Sequence, residues 1–156
     1  MVMRWTFVVA ATLMIWSELS GVVHAQTVSL DKLQVRLWYQ ETGRLSDNIA
    51  PPAVVALWNT IVGEGDAEEV ANNVIFTAQI RTNGEQNVDQ QLTLSATDSS
   101  GNILAERTFA NILTSQTGVA VLPLWVEEVG CAGTVSFSAR IGSESRSFSI
   151  DFPCGE

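Results

Sequence analysis

The sequence predicts an all-β protein, an antiparallel β-sandwich of about seven to eight strands, and three observations carry that expectation. Apolar and polar residues alternate strictly, as in Val135, Phe137, Ala139, Ile141 and then Phe148, Ile150, Phe152. Period two marks half-buried strands, each setting one row of side chains into a core. Turn signals separate the runs at spacings of eight to twelve residues, as they do in sandwiches. The only two cysteines, Cys131 and Cys154, flank the last two runs, where a bridge would staple a hairpin.

The closing stretch Val119–Cys154 reads V-A-V-L-P-L-W-V, a turn to Cys131, T-V-S-F-S-A-R-I, a turn at Gly142–Ser145, and R-S-F-S-I-D-F-P-C. With that turn centred on Ser143–Glu144, Cys154 returns near Gly133, within a couple of residues of Cys131. A Cys131–Cys154 disulfide would contribute ~3 kcal/mol by restricting the unfolded chain. A redox-active pair would be closely spaced, as in C-x-x-C, and this pair is not.

The N-terminus reads as an address. Met1–Arg4 carries one positive charge, Trp5–Trp16 is an almost wholly apolar run, and Glu18–Ala25 turns polar and ends Val23-His24-Ala25. These are the three regions of a secretory signal peptide, residues 1–25, with cleavage expected before Gln26. A membrane-spanning helix needs ~20 apolar residues, more than this run supplies. The polar Phe152–Glu156 argues against a carboxyl-terminal anchor. The expectation is therefore an exported protein, periplasmic or extracellular, without stable membrane insertion after cleavage. Two cysteines suit that oxidising compartment.

Residues 26–156 are read as one domain. Residues 26–73 hold an N-terminal strand, an irregular arm and an acidic loop, and residues 74–156 form the regular part of the sandwich. Gln26–Lys32 is a short polar lead, and Leu33–Tyr39 alternates as a strand. Glu41–Asn48 is a polar loop, and Pro51-Pro52 interrupts any ladder because neither residue can donate a hydrogen bond. Ala53–Val62 fits a short helix as well as a buried strand. Its β-branched Val54, Val55, Thr60, Ile61 and Val62 favour an extended or irregular path. Gly63–Asn73 is the acidic loop. Strands then follow over Val74–Thr82, Gln90–Thr97 and Ile103–Ala110, broken by turns at Asn83-Gly84 and Asp98–Asn102, before the closing stretch.

Six strands from Val74 to Phe152, with one or two before them, resemble the immunoglobulin and fibronectin type III sandwiches in architecture. The cysteine–tryptophan–cysteine spacing of true immunoglobulin domains is absent, since both cysteines sit together at the end.

Chemistry is narrowed mostly by what is missing. The only histidine, His24, belongs to the leader, so the mature chain has no Ser-His-Asp or Cys-His arrangement and no His-ligated metal site. Sixteen acidic against seven basic side chains follow Ala25, a net charge of −9 with Lys32 the only lysine. That balance repels nucleic acid and anionic membranes. Glu64, Asp66, Glu68 and Glu69 could supply hard oxygen ligands to Ca²⁺, although the spacing lacks the EF-hand pattern; a solvated acidic loop is the competing reading. No other cofactor is implied. Trp38, on the polar row of its strand, and Trp58 are candidates for stacking on sugar rings, while Trp125 is expected to fill the core. The residues point to a non-catalytic module that binds a protein partner or plays a structural part, with Gly63–Asn73 and Leu33–Pro52 as the interaction surface. A carbohydrate-binding module, assisted by Ca²⁺, is the alternative.

Overall fold

The computed structural model describes residues 27–155; the signal peptide expected over residues 1–25 lies outside them. Among the described residues nine strands form: β1 (Ser29–Trp38), β2 (Asn73–Arg81), β3 (Asn87–Val88), β4 (Leu92–Thr97), β5 (Ile103–Phe109), β6 (Ile112–Leu113), β7 (Val119–Val126), β8 (Gly133–Ile141) and β9 (Glu144–Phe152). The seven long ones match the expected runs, and the two-residue strands β3 and β6 bring the total above the seven or eight expected. All pairing is antiparallel, in sheets of order β1-β2-β7 and β5-β4-β8-β9 with a small β3-β6 ribbon. In constant-type immunoglobulin sheets the fourth strand joins the first, second and fifth. Here the fourth long strand, β5, stays beside the third, β4.

The inward rows are those the alternation predicts. Val74, Phe76, Ala78 and Ile80 of β2 face Leu92, Leu94 and Ala96 of β4 and Val135, Phe137, Ala139 and Ile141 of β8 in a single buried cluster. Phe76 and Phe137 meet at 5.4 Å between ring centroids, and Phe148 closes on both at 6.1 and 5.8 Å. Each fully buried aromatic contributes about 1.5–3 kcal/mol through the area it removes from water.

Two departures from the expected course have local causes. The polar lead is the start of β1, because a bulge between Leu30 and Lys32 shifts the register by one residue. Buried Leu30 and half-buried Leu33 therefore stand three apart, a spacing that breaks period two. The final hairpin turns one residue earlier than expected, since Ile141 pairs with Glu144 across Gly142–Ser143. That register carries Cys154 directly across from Cys131, and the two are bonded with Cα atoms 4.9 Å apart.

After β1 the chain doubles back along its outer edge. Ser46 N–H donates to the Leu37 carbonyl at 3.0 Å and Ile49 N–H to the Val35 carbonyl at 2.8 Å. Residues 53–62 are then irregular, as the β-branched content suggested, apart from a 3₁₀ turn at Thr60–Val62.

Candidate interaction surface

The irregular arm contradicts its own composition. Residues 51–62 read P-P-A-V-V-A-L-W-N-T-I-V, which the hydrophobic effect would ordinarily drive inward. Only Leu57 and Thr60 are buried. Val54 is 97% exposed, Trp58 48% and Val62 57%.

The arm is nevertheless pinned. Asn59 N–H donates to the Pro153 carbonyl at 2.9 Å, Ala71 N–H to the Thr60 carbonyl at 2.9 Å, and Asp66 N–H to the Ala56 carbonyl at 2.8 Å. Ile61 lies against Gly130, where a Cβ would collide with its Cγ2. Trp58 lies by Gly155, whose Cβ would stand 3.2 Å from the indole nitrogen. Both supports neighbour the Cys131–Cys154 bridge in sequence, so the disulfide end of the sandwich is the arm's seat. A partner docking on a backbone already held in place would pay little of the ordering entropy of a free loop.

The acidic loop braces the arm and spreads its carboxylates. Glu64 accepts from Asn59 Nδ2 at 2.8 Å, and Asp66 accepts from Ala56 N–H at 2.7 Å. Glu69 takes Arg44 Nη2 at 2.7 Å and Thr42 Oγ1 at 2.9 Å, while Glu68 meets the same Arg44 nitrogen at 3.3 Å. Gly65, at φ 72°, passes so close to the Ala56 carbonyl that a Cβ would collide with it. Among the described residues no three of His, Cys, Asp and Glu converge on a point that could hold a metal ion. The four residues considered as Ca²⁺ ligands are thus brought to one loop, but Glu64 and Asp66 are engaged by different groups and Glu68 and Glu69 share Arg44.

The Arg44 hydrogen bond, with Thr42 adding to it, holds the Glu69 carboxyl below the usual carboxylate range. A depressed folded-state value means that this brace is complete above the range of a free glutamate and is lost as pH falls through the folded value. Arg44→Gln should raise Glu69 towards the ordinary range, with Thr42 still holding it somewhat low, read as an upward shift of its side-chain carboxyl carbon titration by NMR. An unmoved midpoint would show that Arg44 does not set it.

The tryptophans are distributed differently from the expectation. Trp125 is not in the core: Leu124 and Val126 take the inward row, and Trp125 points outward, 39% exposed. The signal was available, because Leu122, Leu124 and Val126 already form one row and Trp125 falls on the other. It meets Trp38 edge to face at 5.5 Å. Their strands flank β2 and stand two strand spacings apart, ~10 Å, so the rings lean together above it. Trp38 also touches the Gly43 turn, with ring atoms 3.5 Å from where a Cβ would be. Trp125 Nε1 donates to Glu127 at 3.1 Å. Trp38 therefore pairs with Trp125, and Trp58 belongs to the arm.

Among the described residues no helix is long and apolar enough to cross a membrane. No protein-family model matches the chain, and no curated protein does. Among solved structures it is similar to the crystal structure of the C-terminal domain of wzt, with 10% identity, a TM-score of 0.42, and coverage of 83% of this chain and 74% of that one. A likeness of that size bears on neither ligand nor site.

Proposed function

We propose that this chain is an exported, non-catalytic β-sandwich module that binds a protein partner through the arm of residues 51–62. One observation carries the reading: Val54, Trp58 and Val62 are exposed on a segment fixed by backbone hydrogen bonds at both flanks. Exposed apolar side chains gathered on one short, fixed segment are the kind of surface that serves interaction, and tryptophan is among the residue types that most often anchor an interface. The disulfide supports export, because such bonds persist in oxidising compartments. A non-catalytic role suits a chain that has no histidine after His24 and whose two cysteines are bonded to each other.

The edge-to-face Trp38–Trp125 pair supports the sugar-binding alternative less well, since two rings at 73° do not present one flat platform. The test is affinity capture from an envelope extract with the wild-type protein and a Val54→Ser/Trp58→Ser/Val62→Ser variant as parallel baits. The variant should fold with an unchanged melting temperature and lose at least about tenfold of the captured partner, the scale of a single anchor residue. Equal capture by both baits would refute the arm as the site. Retention on polysaccharide by both would favour the sugar-binding alternative.

A further inference from the structure

A sandwich of two open sheets has four edges, and unpaired strand edges invite other chains to pair with them. Three of the four carry a protective device at mid-strand or along their length. The outer edge of β1 is covered by the returning chain, with Ser46 and Ile49 donating to it. In β7, Pro123 removes a backbone donor from the middle of the strand. In β5, Arg107 stands opposite buried Leu94, on the core-facing row, with its guanidinium 4.5 Å from the Phe109 ring centre; an inward charge on an edge strand discourages pairing.

The fourth edge, β9, is guarded only at its near end, where Arg146 stands opposite buried Ala139 on the core-facing row; beyond it none of these devices recurs. Its two-residue turn makes Ile141–Glu144 a hydrogen-bonded pair, so every second residue from Glu144 turns its backbone towards β8. Ser147, Ser149 and Asp151 accordingly turn their N–H and carbonyl groups outward, and among the described residues no hydrogen bond reaches those groups. Arg146 closes the near end by donating to the Asp31 carbonyl at 3.2 Å. At the far end the Pro153 carbonyl is taken by Asn59. Between them a groove of about 270 Å³ runs beside the strand, lined by Ile49, Val54, Val55, Ser149, Ile150 and Asp151 among others. The arm is its far wall.

Charge selects the occupant. Asp151 lines this groove, Asp47, Asp66 and Glu68 line the adjoining hollow that shares Ile49 and Val55, and no basic side chain lines either. A second copy of a chain with net charge −9 would bring like charge to that rim, which disfavours self-pairing. We propose that the β9 edge accepts an extended, cationic segment of another protein, which adds a fifth strand to the β5-β4-β8-β9 sheet. Its backbone pairs with Ser147, Ser149 and Asp151, its apolar side chains enter the groove, and its basic side chains on the other face meet Asp151 on the outward row of β9. This rests on the protein-binding reading and says how the partner meets the arm.

The test is amide hydrogen exchange, followed residue by residue by NMR, on the purified protein with a short peptide of alternating lysine and valine. Exchange at Ser147, Ser149 and Asp151 should slow roughly tenfold or more. A peptide of alternating glutamate and valine should leave them unchanged. Ser149→Pro, which deletes an outward N–H without removing a ladder bond, should abolish the protection, while Ser149→Ala, which keeps that N–H, should retain it. Unprotected amides in the wild-type protein would overturn the inference whether or not the proline variant folds, and with arm-dependent capture intact they would leave the arm standing. Protection of the same amides without peptide, in a protein that sediments as a dimer, would give the edge to a second copy and overturn the cationic partner.

Discussion

Replacement of Cys131 and Cys154 together by serine is expected to lower the unfolding free energy by about 3 kcal/mol, or roughly 10 °C in melting temperature. The bridge joins residues separated by 23 positions, and cutting it returns that loop's closure entropy to the unfolded chain. The native hairpin should survive, because β8 and β9 are paired over nine residue pairs without the bond. The arm should suffer most. Asn59 is tied to the Pro153 carbonyl, next to Cys154, and Ile61 rests on Gly130, next to Cys131. Urea unfolding with and without a thiol reductant measures the first effect, and amide exchange at Asn59 the second. Unchanged stability on reduction would mean that the hairpin alone secures this end of the sandwich. Loss of stability with Asn59 still protected would separate the bridge from the arm.

Phe137→Ala is expected to cost about 4 kcal/mol, within the range measured for large aromatic-to-alanine truncations. Phe137 is fully buried and touches Phe76 across the sandwich and Phe148 on the neighbouring strand. Its removal strips ring contacts from two partners at once. Both are themselves held by strand ladders, so the cavity cannot close cheaply. The midpoint of urea unfolding should fall at constant slope, which separates lost stability from a changed unfolded state. A loss below about 1 kcal/mol would mean that the three rings can repack around the void, as volume-tolerant cores do.

The sandwich was legible because its signal is local. In β2, β4 and β8 each inward residue announces itself by parity with its neighbours, as Val135, Phe137, Ala139 and Ile141 do, and that parity holds whatever the strand pairs with. Where parity failed, a bulge was responsible: one extra residue before Lys32 hid the first turn of β1. Trp125 was misplaced against its own row, which shows that aromatic character is a poorer guide to burial than register.

By itself, the sequence determined the class of fold, the inward rows of β2, β4 and β8 and the pairing of the two cysteines, since a period-two pattern and a lone cysteine pair leave little freedom. Only the tertiary structure decided the rest. It put Trp38 beside Trp125 and sent Glu64 to Asn59, Asp66 to Ala56, and Glu68 and Glu69 together to Arg44. It also turned an apolar arm outward and left the middle of β9 the least protected edge. Each of these depends on which distant segments meet, and a residue's own neighbours in sequence carry no record of that.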